Sequence, residues 1–287
     1  MNLRLCRYTR PGGEPRPGIL EGDDWIADLS SAGISTLTSL LEDRDPAGVV
    51  RSVLKPSLPR LARNQVQLLA PVEQQEVWAA GVTYVRSRSA RMEESEFSAT
   101  AYGKVYEAER PELFFKALAH KVVSPGGAVG LRRDSRWTVP EPELALVLNS
   151  RCEITGYTLG NDMSARDIEG ENLLYLPQAK IYTGSCALGP AIVLGTVESQ
   201  ARQWTIELEI WRASQLVFKG GTSVDRIKRS FHELAEFLGR SQQFSFGAVL
   251  LTGTGIVPPG DFALAAGDRV RILGSEIGCL ENEVMIV

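Results

Sequence analysis

Two runs in the middle of the chain limit its fold more than anything else in the sequence. Val139-Pro140-Glu141-Pro142-Glu143-Leu144-Ala145-Leu146-Val147-Leu148 is followed, a few residues on, by Glu153 through Asp162. Both read as strands and Ser150-Arg151-Cys152 as the turn between them, which predicts an antiparallel hairpin. A turn at that position sets Glu141 opposite Asp162 and Glu143 opposite Gly160. Side chains alternate along a strand, so Glu141, Glu143 and Asp162 share one face. Leu144, Leu146, Leu148, Tyr157 and Leu159 take the other, which is expected to be the buried one. A slip of one residue would part the acids.

The flanking sequence supports a mostly β chain. Trp204, Ile206, Leu208 and Ile210 alternate with Thr205, Glu207 and Glu209, and Gln215–Phe218 is expected to return beside them through an Ala213-Ser214 turn. Ile227, Phe231, Leu234 and Leu238 recur at spacings that predict one amphipathic helix, with Gly239 as its stop. Further strands fit Ala248–Thr252, Arg269–Leu273 and Val284–Val287. Residues 1–71 read as a small separate unit. It has strands at Leu3–Leu5, Trp25–Asp28 and Val66–Leu69, a short helix over Thr38–Glu42, and a boundary at Pro71. Residues 72–287 form the second unit. No repeat and no regular βα alternation is present, so the class is α+β, mostly β.

Composition removes several kinds of chemistry. The 31 basic and 35 acidic side chains give a net charge of −4 without any run of like charges, which speaks against nucleic-acid and membrane-surface partners. No apolar stretch is long enough to span a bilayer and the N-terminus lacks a signal-peptide core, so the expected location is the cytoplasm. The 4 cysteines, Cys6, Cys152, Cys186 and Cys279, lack a Cys-x-x-Cys spacing and read as buried and reduced. The 2 histidines, His120 and His232, exclude multi-histidine metal sites, leave little room for a Ser-His-Asp triad, and read as structural. Chemistry in this chain runs on carboxylates, lysine, hydroxyls or a bound metal.

Three carboxylates on one strand face repel each other, and a divalent cation removes the conflict. Oxygen ligands without histidine or cysteine select a hard ion: Mg²⁺ first, then Mn²⁺ or Ca²⁺. The alternative for Glu141, Glu143 and Asp162 is a solvated acidic strand face.

Glu-x-Glu on a strand followed by Gly156-Tyr157-Thr158-Leu159-Gly160-Asn161-Asp162-Met163-Ser164-Ala165-Arg166-Asp167 resembles the core signature of the fumarylacetoacetate hydrolase family. The resemblance continues through Lys180, Gly189-Pro190, Thr252-Gly253-Thr254-Gly255 and Gly267-Asp268, and reaches Gly278 and Asn282, covering about residues 76 to 287. It implies a mixed β-roll catalytic domain with a small N-terminal α/β domain. It also implies Mg²⁺ on Glu141, Glu143 and Asp162, Lys180 and Arg166 at or beside the substrate, and a homodimer or homotetramer. Hydrolases of the family commonly carry a His-Glu pair that activates water. Here Ser87 and Ala90 stand at those positions in Gly81-Val82-Thr83-Tyr84-Val85-Arg86-Ser87-Arg88-Ser89-Ala90. Serine has no basic nitrogen, so hydrolysis by that pair is lost.

Four blocks resemble the 2-keto-3-deoxy-D-arabinonate dehydratase branch more specifically. They are Tyr84 to Ser95, Glu109-Arg110-Pro111-Glu112-Leu113-Phe114-Phe115-Lys116, Trp137-Thr138-Val139-Pro140-Glu141-Pro142-Glu143-Leu144, and Arg166 through Tyr182. The branch implies conversion of a 2-keto-3-deoxy-pentonate to 2,5-dioxopentanoate, by C3 proton abstraction, a metal-stabilised enolate and loss of the C4 hydroxyl. Lys180 and Glu112 are the expected proton-transfer pair. Ser87, Arg88, Arg91, Arg166 and Thr254 are the expected substrate-binding residues, Arg166 chiefly by orienting Asp162 or Asp167. Rival readings are an acylpyruvate hydrolase, an oxaloacetate-type decarboxylase, a dehydratase of another 2-keto-3-deoxy sugar acid, or a metal-bound protein that only binds sugar acids.

Overall fold

The computed structural model describes residues 2–84 and 105–287. Its centre is the expected hairpin. Pro142–Leu148 pairs antiparallel with Ile154–Asp162, with Glu143 opposite Gly160 and Leu144 opposite Leu159, and the amide of Asp162 donates to the carbonyl of Glu141 at 2.9 Å. The register is therefore the one that keeps the three acids on one face. A bulge at Val147–Leu148 and a left-handed Cys152 (φ 58°) make the turn.

Neighbouring strands extend the hairpin both ways. On one side lie Ala248–Thr254, then Glu76–Gly81, then Glu112–Ala117; on the other lie Cys186–Leu194, Leu3–Thr9, Arg16–Glu21, Trp25–Asp28 and Arg60–Ala62, with Gln67–Leu69 against Leu3–Thr9. All these pairs are antiparallel except Glu76–Gly81 with Ala248–Thr254. A second sheet runs Gln215–Ser223, Thr205–Arg212, Arg269–Gly274, Gly278–Ile286 and Ala128–Leu131. Thr205–Arg212 and Gln215–Ser223 meet at Ala213 and Ser214, both at positive φ (45° and 69°), the twist a tight hairpin needs.

The core sits between the sheets and on the far side of the first one. Leu144, Leu146, Leu148, Tyr157 and Leu159 pack with Ile206, Leu208, Ile210, Phe231, Leu234 and Leu238. The opposite face of the hairpin is buried as well. Val147 packs with Leu5, Leu37, Leu41 and Ile192, and Ala145 with Val77, Val249 and Leu251. Burial confined to the leucine face is thus corrected, because the N-terminal strands and helices cover the other side. The boundary expected at residue 71 falls between Gln67–Leu69 and Glu76–Gly81, and Leu5 pairs across it with Ile192. The amphipathic helix spans Phe231–Gly239 and starts later than its apolar period, because Ser230 caps it by accepting from the Glu233 amide at 3.0 Å. Ile227 lies in the preceding turn, still buried.

Cys6 and Cys186 are buried, and burial pushes their thiols up to about 12; Cys152 and Cys279 are half-buried instead. Among the described residues no helix is long and apolar enough to cross a membrane.

Gly160 leaves room for the side chain of Leu251 from Ala248–Thr254. A Cβ there would stand 2.1 Å from Leu251 Cδ2. Gly160→Ala is expected to lower the unfolding free energy by about 1–3 kcal/mol, the usual cost of overpacking, read from urea denaturation midpoints at unchanged m-value.

Candidate metal centre and active site

The hairpin ends on its acids. Glu141 sits between Pro140 and Pro142 at the strand entrance, where a proline's missing donor does no harm, and Asn161 Oδ1 accepts from its amide at 3.2 Å. Glu143 follows two residues on and Asp162 closes the partner strand. One carboxylate oxygen from each of the three lies within 4.8 Å of the others, and all three residues are buried.

Buried carboxylates are costly unless paired. Lys180, the last residue of the short helix Leu176–Lys180, donates to Glu141 Oε2 (2.7 Å), Asp162 Oδ2 (3.0 Å) and Ser164 Oγ (2.5 Å). Arg166, the first residue of Arg166–Glu171, reaches Glu141 Oε1 at 2.7 Å. Lys116, on Glu112–Ala117, pairs with Asp162 Oδ1. Glu143 accepts from the Gly253 amide at 2.6 Å. Gly253 has φ 90°, and a Cβ there would meet Thr83 Oγ1 at 2.1 Å, so glycine is required for that amide to sit where it does. Burial, then Asp162 and Glu141, raise the Glu143 carboxyl well above the ordinary range.

A cavity opens on the triad. Its described lining holds five carboxyl groups, those of Glu112, Glu141, Glu143, Asp162 and Glu169, and two cations, Arg166 and Lys180. Even with Lys116 behind Asp162, acidic groups outnumber basic ones among the described residues, an excess that a divalent cation offsets. The donors are oxygen only, which fits a hard ion such as Mg²⁺. Glu112 folds across Gly81, where a Cβ would stand 2.0 Å from its Oε2.

The expected residues thus divide. Glu141, Glu143, Asp162, Lys180, Arg166, Glu112 and Thr254 line one cavity. Arg166 binds Glu141 rather than Asp162 or Asp167, whose own partners are Ser135 Oγ (2.6 Å) and the Arg136 amide (2.7 Å). The Thr254 hydroxyl bonds the backbone of Ile256 at 3.2 Å. Ser87, Arg88 and Arg91 lie outside the described residues. His120 and His232 are exposed and neither lines the cavity. Sequence reasoning missed Lys116 and Glu169. Lys116 shares the alternating face of its strand with Glu112 and Phe114, and Glu169 stands three residues after Arg166 on one helix face; both signals were present.

Comparison with known proteins places the chain in a family and beside two named dehydratases. The family model described as "Fumarylacetoacetate (FAA) hydrolase C-terminal" matches residues 76–285. The chain is 43% identical over 287 residues to the "2-dehydro-3-deoxy-D-arabinonate dehydratase" of Saccharolobus solfataricus, covering 98% of this chain and 96% of that protein. It is 46% identical over 217 residues to the "Probable 2-keto-3-deoxyxylonate dehydratase" of Haloferax volcanii, covering 76% of this chain and 74% of that one. A solved structure, "2-keto-3-deoxy-D-arabinonate dehydratase complexed with magnesium and 2,5-dioxopentanoate", matches with TM-score 0.83 and 33% identity over 99% of both chains.

The raised Glu143 carboxyl gives a pH dependence with a definite sign. In the metal-free protein the folded state holds a proton that the unfolded state releases near the ordinary value of 4.5. Stability from this group is therefore complete below that value and is lost as pH rises through the folded-state value. Glu143→Gln does not titrate, so its unfolding free energy is expected to gain on that of the metal-free wild type as pH rises above 4.5. Chemical denaturation of both proteins across that range measures it; a constant difference would refute the coupling.

Proposed function

The chain belongs to the fumarylacetoacetate hydrolase family, and from that premise we propose that it is a hydro-lyase, a Mg²⁺-dependent dehydratase acting on 2-keto-3-deoxy-D-arabinonate. The products are 2,5-dioxopentanoate and water. The observation that carries this reading is one cavity in which a buried carboxylate triad meets Lys180 and Glu112, in a chain similar over almost its whole length to a protein named as such a dehydratase.

Glu141, Glu143 and Asp162 would hold the metal, which when bound polarises the 2-oxo group of the substrate and eases loss of a C3 proton. Lys180 and Glu112 are the proton-transfer pair. One takes the C3 proton, and the other gives a proton to the C4 hydroxyl, which leaves as water. The C3–C4 double bond that remains becomes the aldehyde after proton shifts from C5 to C3 and from the C5 hydroxyl to C4. Arg166 acts through Glu141, whose carboxylate it orients. Ser87, Arg88, Arg91 and Thr254 complete the reading as substrate-binding residues, Ser87, Arg88 and Arg91 on sequence pattern alone. The protein is taken as a cytoplasmic homodimer or homotetramer, with residues 1–71 as a small domain on the catalytic one.

EDTA-stripped protein incubated with racemic 2-keto-3-deoxy-pentonate is expected to form 2,5-dioxopentanoate only after Mg²⁺ is added, followed with a coupled NADP-dependent aldehyde dehydrogenase. Lys180→Met and Glu112→Gln should each lower kcat by about 10²-fold or more; near-normal turnover in both would discard the pair. Consumption of acylpyruvates or oxaloacetate instead would move the protein to another branch of the family. Gly81→Ala pushes on the flexible end of Glu112 rather than on backbone. It is expected to cost about tenfold or more in kcat through misplacement of that carboxyl, with the melting temperature nearly unchanged.

A further inference from the structure

Lys116 is fully buried, at 0% exposure, and the reaction outlined above does not use it. Its ammonium meets three acceptors from two separate segments: Asp162 Oδ1, the carbonyl of Met163 (3.1 Å) and the carbonyl of Lys180 (2.5 Å). Two of its hydrogens go to main-chain carbonyls, and its charge pairs with Asp162 Oδ1 at ion-pair distance. Fully buried and outside the described lining of the cavity, it is not placed to meet a substrate. Asp162 is gripped on both oxygens, Oδ1 by Lys116 and Oδ2 by Lys180. The carbonyl that Lys116 holds belongs to Lys180 itself, at the end of a five-residue helix with little stability of its own.

We propose that Lys116 is a positioning residue. It locks the main chain of Lys180 to the carboxylate of Asp162, so that one buried charge sets the distance between a candidate metal ligand and a candidate proton-transfer group. Two acceptors are main-chain carbonyls, which do not move with substrate, so the clamp is a fixed part of the frame. A neutral side chain of similar length would fill the space but leave two buried carbonyls without their donor and a buried carboxylate without one of its counter-charges. The kinetic consequence rests on the dehydratase reading; the effect on the helix does not.

The test compares wild type with Lys116→Met and Lys116→Arg. In metal-free Lys116→Met, hydrogen–deuterium exchange by mass spectrometry is expected to rise about tenfold or more in peptides covering 176–183, while 205–223 in the second sheet stays as in wild type. At saturating Mg²⁺ and substrate, kcat should fall by about 10- to 100-fold with KM changed by less than about threefold. Lys116→Arg keeps the charge but spreads its donors over a planar fork, and should not restore kcat. Unchanged exchange at 176–183, or a lower melting temperature with normal kcat, would reduce Lys116 to a core ion pair and overturn the proposal. Full recovery by Lys116→Arg would overturn it too, since charge alone would then suffice. If wild type shows no dehydratase activity, that reading fails by itself and the exchange comparison still decides the clamp. Should Lys116→Met not fold, Lys116→Gln, which keeps a hydrogen-bonding head, takes its place with the same expected outcomes.

Discussion

The register of the hairpin Pro142–Leu148 with Ile154–Asp162 is the constraint from which the rest follows. With Glu143 opposite Gly160, Glu141, Glu143 and Asp162 converge at one end of the sheet, and Leu144, Leu146, Leu148, Tyr157 and Leu159 face the second sheet. A slip of one residue would turn every side chain over, placing leucines where the acids are and acids in the largest core. The hydrophobic penalty of that slip fixes the register, and the fixed register assembles the acids. The site is thus a by-product of core packing at its first level, which explains how three like charges come to be held together without a long-range device.

The second level is electrostatic. Packing on both faces takes the carboxylates out of water, so the field of each reaches its neighbours with little screening. Arg166, Lys180 and Lys116 answer Glu141 and Asp162 by direct contact, while Glu143 has the Gly253 amide, and its carboxyl is the one pushed up by burial and by both other acids. An excess of buried acids of this kind favours a divalent cation. Cation binding then stabilises the folded state by mass action, so ligand affinity and stability share one source.

Much of this was legible in the sequence because it depends on local period. The acid triad, the leucine face, the hairpin closing at Ala213-Ser214 and the apolar face of Phe231–Gly239 all follow from residues within one hairpin or one helix. What was not legible depends on distant segments. The acid face is buried because Leu37, Leu41 and Leu5 come from the N-terminal strands and helices to cover Val147. Arg166 finds Glu141 rather than the nearer Asp162 because its helix begins beside Trp137, whose carbonyl accepts from the Arg166 amide at 2.7 Å. A single buried lysine such as Lys116 leaves no period behind, and its place among Glu112, Phe114 and Lys116 gains meaning only when the strand is set against Met163 and Lys180.

The two lysines on Asp162 differ in the kind of acceptor each one meets. Lys116 gives hydrogens to two main-chain carbonyls and pairs its charge with Asp162 Oδ1. Lys180 spends its contacts on the side chains of Glu141, Asp162 and Ser164, whose oxygens a cation or substrate can also claim. A bound ligand therefore competes for the partners of Lys180 and leaves the two carbonyls held by Lys116 alone. With equal charge and nearly equal burial, the two residues differ in whether their acceptors can be taken by something else.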